Sequence, residues 1–172
     1  MIDHPDDILT LVTPALCWEQ EYQAMVREFL ATDEIHFNNF PLALENFAAF
    51  VAELEDEAAG RNLPPGIFPQ QTYWTIRNGI SMLGEIRLRP TKPDDHIGYN
   101  IRPSERRKGY ATRQLALGLE EAQRHGLAKV MLPVRQGNTG SERTIEKLGG
   151  YIDGAVCGAD GTILRHYWID LL

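Results

Sequence analysis

One stretch, IRPSERRKGYAT at residues 101–112, decides the fold predicted for this chain. It follows a predicted strand, residues 96–101, and opens a predicted helix that begins near Gly109 and runs to about His125. The first N–H groups of such a helix have no acceptor within it, and the helix dipole favours negative charge there. Because three basic side chains precede a glycine at this point, the stretch predicts an anion site of the kind that binds phosphate.

A second motif, NTGSERTIEKLGGY at residues 138–151, follows after one predicted helix and one predicted strand. By itself it describes a capped helix that ends at glycine, and Thr139 and Glu142 have the spacing of a capping box. In the first stretch, Arg106-x-x-Gly109-x-Ala111 resembles the acyl-CoA pyrophosphate motif of the GNAT superfamily of N-acetyltransferases. The second stretch resembles that family's later motif, Asn-x-x-Ser followed by Glu-Lys-x-Gly. Because both occur in the family's order, the chain is identified as a member over about residues 70–170.

The resemblance implies a single α/β domain over residues 1–172, with residues 1–62 as an acidic helical region on the acceptor side and residues 70–170 as the acyl-CoA-binding core. Its sheet is expected to be mixed and mostly antiparallel, with a splayed central parallel strand pair flanked by helices. Pro133 fits this expectation, because proline is disfavoured in a central strand and tolerated where two strands separate.

Acetyl-CoA is the acyl donor that the resemblance implies, and no metal is expected. The strand before the turn would give main-chain contacts to the cofactor arm, the turn would hold the pyrophosphate, and the amide of Asn138 would hold the arm from the other side. The expected cofactor-binding residues are Asn100, Ile101, Arg102, Arg106, Arg107, Lys108, Gly109, Tyr110, Ala111, Thr112, Asn138 and Ser141.

The expected reaction is direct attack of a primary amine on the thioester in a ternary complex, and an ammonium acceptor must first lose a proton. The candidate bases are His96 on the polar face of the central strand, then Glu85 on the neighbouring strand, then Asp95. Many family members carry a tyrosine that protonates the leaving thiolate, but the matching position here is Ile145. Water or another tyrosine could take that role, and the sequence leaves open Tyr99, Tyr110, Tyr151 and Tyr167.

The net charge of −7 is divided unevenly along the chain. Residues 1–60 carry thirteen Asp and Glu against the single Arg27, and the remaining residues carry a net +5. The acidic part either attracts a cationic acceptor or forms the solvated faces of two helices. Nucleic acid is not an expected partner, because the basic residues cluster at one turn rather than along a stripe.

Composition sets further expectations. A chain of 172 residues with 43% hydrophobic residues fits one globular domain. No apolar run approaches the roughly 18 residues of a membrane span, and the start MIDHPDD is unlike a signal peptide. We therefore predict a cytoplasmic monomer or homodimer that binds no membrane. Cys17 and Cys157 form neither a metal motif nor a disulfide framework, and we interpret them as buried or incidental thiols.

Start and stop signals predict the remaining elements. After a β-rich run at residues 8–12, Thr13-Pro14 predicts the start of a helix to about Leu30, and Asn39-Phe40-Pro41 predicts a second helix to about Ala59. The loop between them, residues 32–39, matches by position the region that covers the amine substrate in the family. Asn78-Gly79 and Asp160-Gly161 predict two hairpins.

The sequence therefore predicts an N-acetyltransferase that uses acetyl-CoA and a small-molecule or peptide amine. A noncatalytic acyl-CoA-binding or regulatory module is the alternative, suggested by Ile145 alone. A nucleotide-phosphate binder is disfavoured because the chain lacks G-x-x-x-x-G-K-[ST].

Overall fold

The computed structural model describes residues 6–32, 34 and 39–171, and it contains five α-helices and seven strands within them. The predicted acceptor loop lies largely outside the described residues, since positions 33 and 35–38 are among those not described. The elements in chain order are β1 (Leu9–Val12), α1 (Glu19–Leu30), α2 (Phe40–Glu45), α3 (Phe47–Ala59), β2 (Gln71–Arg77), β3 (Ser81–Leu88), β4 (Ile97–Ile101), α4 (Tyr110–Arg124), β5 (Lys129–Arg135), α5 (Thr139–Lys147), β6 (Tyr151–Cys157) and β7 (Ile163–Asp170).

The strands form two antiparallel sheets rather than the single mixed sheet that was predicted. The first sheet has the order β1-β2-β3-β4, and the second has the order β5-β7-β6. The predicted parallel pair, β4 with β5, is therefore not a ladder of either sheet. Each of these two strands lies at an edge of its own sheet, and the two edges face each other.

Two of the predicted helices differ in detail. The first begins at Glu19 after a short 3-10 turn at Leu16–Trp18, so Thr13 is not its N-cap. The second is broken at Asn46, whose extended backbone ends α2 and whose side chain accepts from the N–H of Ala49 to start α3. Asparagine can cap a helix as well as continue one, and here the cap prevails.

Both predicted hairpins are confirmed. At the first, Asn78 and Gly79 have φ angles of 54° and 68°, as a two-residue hairpin turn requires. At the second, residues 158–162 join β6 to β7, and Asp160 accepts from the N–H of Thr162. Cys17 and Cys157 are free and exposed, so neither belongs to the core.

The core has two main layers, one on each face of the first sheet. Helices α1 to α3 cover one face, where Tyr22 packs against Trp74 with ring centroids 4.8 Å apart. Helices α4 and α5 cover the other, where Ile86 packs with Leu115 and Ile145. Among the described helices, none is both long and apolar enough to span a membrane.

Candidate active site

The two sheets meet at a single residue pair before they diverge. The N–H of His96, directly before β4, donates to the carbonyl of Met131 in β5 at 2.9 Å. The N–H of Met131 in turn donates to His96 Nδ1 at 3.0 Å. In the described part of the chain, the first of these is the one main-chain hydrogen bond between the edges of β4 and β5.

Pro133 explains why these edges part. Both main-chain groups of Met131 point to His96, so the pair Met131 and Trp168 is a non-hydrogen-bonded pair of the β5-β7 ladder. Pro133 is two residues after Met131 in β5 and lies opposite His166 of β7, so its main chain faces the same open edge as that of Met131. Because proline has no N–H, this edge loses its next donor, and no main-chain hydrogen bond joins β4 to β5 beyond Met131 in the described part of the chain. We call this unpaired region between the two strands the cleft.

The register of β4 shows which main-chain groups face this cleft. Arg89 donates to the carbonyl of His96 and Arg102 donates to the carbonyl of Leu83, both at 2.8 Å. Between these two contacts the ladder alternates, so Gly98 and Asn100 are in register to turn main-chain groups towards β3. Tyr99 and Ile101 are in register to turn theirs to the open edge. Of the predicted trio Asn100, Ile101 and Arg102, Ile101 is the one with its main chain on that edge.

The basic turn follows directly. Arg106 Nε donates to the carbonyl of Ile101 at 2.9 Å, which folds the turn back onto the end of β4. Arg107 and Gly109 have φ angles of 61° and 84°, and Gly109 caps α4 in the left-handed conformation that glycine adopts readily. The predicted helix start is therefore confirmed, and the first turn of α4 directly follows the basic turn.

Most cations of the turn already have carboxylate partners. Arg102 binds Glu28 at 2.5 Å, Lys108 binds Glu105 at 3.0 Å, and Arg106 forms a bidentate pair with Glu34. Arg107 is exposed and has no ion pair among the described residues. Part of the acidic N-terminal region therefore forms ion pairs with the basic turn. This role differs from both predicted ones, the attraction of a cationic acceptor and the solvated helix face.

Glu28 shows how firmly α1 is tied to the turn. Its carboxylate also accepts from the N–H of Ser104 at 3.0 Å. Burial alone would raise the pKa of Glu28, but the hydrogen bonds from Arg102 and Ser104 outweigh it and lower the pKa below its usual value. The carboxylate therefore stays ionised at neutral pH and holds the turn against α1.

Helix α5 forms the opposite wall of the cleft's mouth. Asn138 is its N-cap, with Oδ1 accepting from the N–H of Ser141 at 3.3 Å, so the predicted capping box at Thr139 is wrong. Glu142 instead pairs with Arg165. No described residue accepts from Asn138 Nδ2, which leaves its two donors for a ligand. Ile145 is fully buried in the core and presents no polar group to the cleft.

The four tyrosines left open by the sequence have different surroundings. Tyr110 binds Asp7 and Arg77, Tyr151 is exposed on β6, and Tyr167 is buried in β7. The buried hydroxyl of Tyr99 lies towards Ser141 and Thr144 of α5 without a well-formed hydrogen bond to a described residue. Burial raises the pKa of Tyr99, and the two neighbouring hydroxyls lower it by less.

The three candidate bases differ in position and in contacts: Glu85 lies opposite Asn100, whereas Asp95 and His96 lie before β4 near Arg89. Asp95 is paired with Arg89 at 2.5 Å and Lys92 at 2.9 Å. His96 uses Nδ1 as an acceptor from Met131, and burial, the largest influence, lowers the pKa of its imidazole. The Met131 contact occupies the imidazole nitrogen that would take up a proton from an amine.

Glu85, the second candidate, is 1% exposed. It accepts from Tyr22 Oη at 3.2 Å and from Asn100 Nδ2 at 3.0 Å. Asn100 lies directly opposite it in the β3-β4 register, so the Asn100 side chain faces Glu85 and its main chain is paired with β3. The alternation of β3 predicted this face, but not the burial, which depends on α1.

Two contributions could not be found from the residue types alone: the main chain of Tyr99 and the residue Met131. Pro133 carried the signal for both. Proline has no N–H to donate, so once the strand register is known it marks the unpaired edge of β5. Among the described residues, no group of three or more His, Cys, Asp or Glu side chains could hold a metal ion.

Comparison with known proteins supports the geometry. Residues 13–150 match the model of an acetyltransferase (GNAT) domain. No curated protein matches the chain. Solved structures with the same fold include a RimL ribosomal L7/L12 alpha-N-protein acetyltransferase with coenzyme A, at 14% identity and a TM-score of 0.73, with 95% of this chain and 94% of that one covered.

Two further structures are similar over the same extent. RimJ from Mycobacterium smegmatis, with CoA-disulfide, is 18% identical with a TM-score of 0.70, covering 96% of this chain and 88% of that one. Spermidine N-acetyltransferase from Vibrio cholerae, with CoA and spermine, is 15% identical with a TM-score of 0.67, covering 95% of each chain. At these identities the structures establish the fold, and the domain match establishes that the chain belongs to the GNAT acetyltransferase family.

Proposed function

We propose that this chain transfers the acetyl group of acetyl-CoA to a primary amine of a small molecule or peptide, by direct attack in a ternary complex. The observation that supports the proposal most is the cleft that opens beyond Met131 and ends at the N-terminus of α4. An open strand edge and an anion-binding helix start, joined by one short turn, suit a ligand with an amide-containing arm and a phosphate end.

The residues present fit this cosubstrate. The Ile101 N–H faces the open edge, and the Asn138 amide offers donors from the other wall. At the phosphate end, Gly109 places no side chain over the start of α4, and Arg107 is an exposed cation with no ion pair among the described residues. Arg102 and Arg106 support this arrangement from behind, since their carboxylate pairs and carbonyl contacts hold the turn.

The bound cosubstrate supplies an acetyl thioester, whose carbonyl carbon bonds to the amine nitrogen as the carbon–sulfur bond breaks. For a lysine-like amine, the free base at pH 7 is about one part in a few thousand, a cost of roughly 4 to 5 kcal/mol, so a proton acceptor helps. All three predicted bases have partners, and we assign the role to Glu85 because the donors described above, Tyr22 and Asn100, are neutral. Asp95, in contrast, is bound to two cations, and His96 Nδ1 accepts from the main chain of Met131. Asn100 orients the Glu85 carboxylate.

The thiolate that leaves needs a proton. With Ile145 buried, we assign this proton to Tyr99, whose hydroxyl lies beside Ser141 at the start of α5. A raised pKa keeps the phenol protonated at neutral pH, so it can donate. Tyr99 belongs to β4, and its main chain faces the same cleft.

Release of free CoA from acetyl-CoA tests the proposal. The acceptors in the assay should include polyamines and peptide N-termini, since the similar structures include a spermidine N-acetyltransferase and an alpha-N-protein acetyltransferase. Aminoglycosides and amino acids complete the panel. We expect turnover with one of these amine classes.

Gly109→Glu is the first variant, because it brings a carboxylate and a side chain to the pyrophosphate position. We expect acetyl-CoA affinity to fall by about a hundred-fold or more from like-charge conflict. Gly126→Glu is the matched control: Gly126 follows the other end of the same helix, has a φ of 82°, and has open space around its Cβ position. It carries the same backbone strain but should bind acetyl-CoA normally.

The outcomes separate the candidate functions. Acetyl-CoA binding without CoA release for any amine would favour the noncatalytic alternative. Equal binding by the two glycine variants would remove the phosphate-turn assignment.

A further inference from the structure

We propose that His96 is a positioning residue that joins the two sheets at the inner end of the cleft, and that this contact sets where the acyl group of acetyl-CoA lies. The ligand in this statement rests on the proposed function. The contact itself, which we call the His96–Met131 clasp, consists of the two hydrogen bonds described above and does not depend on the ligand.

Met131 needs an acceptor that the main chain does not supply. Its N–H and carbonyl both point away from β7, towards the edge where β4 begins. The N–H of His96 satisfies the Met131 carbonyl. The His96 carbonyl, however, already accepts from Arg89 at the end of β3, on the opposite side. The imidazole Nδ1 takes the place of that carbonyl and accepts the Met131 N–H at 3.0 Å.

Solvent is largely excluded from this contact. His96 is 8% exposed and Met131 is 2% exposed. The ring of Trp168, opposite Met131 on β7, lies 6.2 Å from the imidazole between centroids and covers it from the second sheet. A buried N–H that loses its acceptor here is not readily satisfied by water, so the side chain at position 96 decides whether the clasp holds.

The clasp also fixes the protonation of the ring. Since Nδ1 accepts a hydrogen bond from an amide, a neutral His96 carries its hydrogen on Nε2. A proton on Nδ1 would point at the Met131 N–H and break the clasp. The ring is therefore a fixed support between the sheets, and Nε2 presents a donor rather than a base.

Position makes this support matter for the cleft. Pro133 removes the next donor on the same edge of β5, so no second main-chain tie follows in the described part of the chain. Tyr99 and Ile101, which face the cleft, come three and five residues after His96 on the strand that the clasp anchors. A shift of β4 at its start would displace their main-chain groups together.

Three variants test the clasp. His96→Asn keeps an acceptor, Oδ1, at nearly the place of Nδ1. His96→Gln places its amide nearer to Nε2, and His96→Ala removes both positions. The readouts are amide hydrogen exchange at Met131, the dissociation constant of acetyl-CoA, and kcat with the best amine.

If His96 acts through the clasp, the three variants should differ in an order that the loss of a catalytic imidazole would not produce. We expect His96→Asn to keep Met131 protection and acetyl-CoA affinity, while His96→Gln and His96→Ala speed exchange at Met131 by about ten- to a hundred-fold. The same two variants should weaken acetyl-CoA binding by about ten-fold or more, since misplacing a binding surface slightly is enough for that.

Two results would overturn the proposal: His96→Gln retaining activity better than His96→Asn, or Met131 protection unchanged in all three variants. If wild-type protein binds no acetyl-CoA, the proposed function fails and so does the role assigned to the clasp in placing the acyl group. Met131 exchange would still report separately whether the clasp exists. If His96→Ala fails to fold, the comparison of His96→Asn with His96→Gln gives the same decision.

Discussion

Strands β3 and β6 have similar lengths and similar numbers of apolar residues, but opposite surroundings. In β3, every residue from Met82 to Ile86 is buried, including Glu85. In β6, all seven residues are exposed, with Ile152 at 50% and Val156 at 48%. β3 lies between two layers of helices, whereas β6 is an edge strand that no described helix covers.

The difference shows that position in the sheet, more than side-chain type, decides burial here. β3 is central in the first sheet, and both of its faces are core. The second sheet contributes to the core mainly through β5 and β7, the two strands nearest the junction. The site lies where the fully covered sheet meets the partly covered one, so its walls differ in how firmly they are held.

Matched substitutions of isoleucine give the largest expected contrast. Ile86→Ala, at 1% exposure, should lower the free energy of unfolding by about 2–5 kcal/mol, because it leaves a cavity between β3 and α4. Ile152→Ala should change it by no more than about 0.5 kcal/mol. Urea unfolding followed by circular dichroism measures both.

Similar losses in the two variants would contradict the comparison. A large effect of Ile152→Ala would mean that β6 is covered in solution by something outside the described chain. In that case the effect should depend on protein concentration if the cover is a second copy.

Much of the β3 hairpin could be predicted from sequence, because its information is local. Asn78-Gly79 fixes the turn, and alternation fixes which residues share a face. Burial of both faces could not be predicted, since it depends on α1 and α4, which are distant in sequence. The break at Asn46 was missed because the local sequence on both sides favours helix. Only the cap geometry in the structure shows that the chain bends there.

In the candidate site, too, features set by contiguous residues could be predicted and features set by distant residues could not. The start of α4 was predicted to the residue at Gly109, because a basic turn before a helix is a contiguous signal. The partners of its cations were not, since Glu28 and Glu34 lie more than 70 residues away from Arg102 and Arg106. The use of His96 Nδ1 by Met131 could not be predicted either, because it depends on how two separate sheets meet.

A pair of substitutions in α4 and β3 tests how closely the helix packs on the strand. A Cβ at Gly118 of α4 would lie 2.1 Å from Ile86 Cδ1, far inside contact distance. Gly118→Ala should therefore cost about 1–2 kcal/mol, since overpacking outweighs the gain in helix propensity. In an Ile86→Val background, which lacks Cδ1, the same change should cost much less.

A double-mutant cycle from urea unfolding measures this coupling, which we expect at about 0.5–3 kcal/mol. Gly140→Ala in α5, whose Cβ would meet only Asn138 Oδ1 at an ordinary 3.8 Å, controls for the general effect of adding a methyl group to a helix. Additive effects in the cycle would mean that α4 does not press on β3 at Ile86.

The smallest expected effect concerns the junction itself and depends on pH. Burial lowers the pKa of His96 in the folded protein, against opposing influence from Asp95 and Asp94 and added lowering from Arg89. The unfolded chain, with a histidine pKa of about 6.5, then binds more protons than the folded one as pH falls below that value. Stability is fully present above about pH 6.5 and is lost as pH falls towards the folded pKa, with a slope of at most about 1.4 kcal/mol per pH unit.

His96→Asn isolates this contribution, because it keeps the acceptor for Met131 and removes the titration. The difference in unfolding free energy between wild type and His96→Asn should shrink or change sign between pH 7 and pH 5. Both proteins contain the same other histidines, so the contributions of those residues to the pH dependence cancel in the difference. A difference that is constant with pH would show that the folded protein accepts a proton on His96 as easily as the unfolded chain does. The junction of the two sheets would then tolerate a charged ring, and the fixed support between them would lie elsewhere.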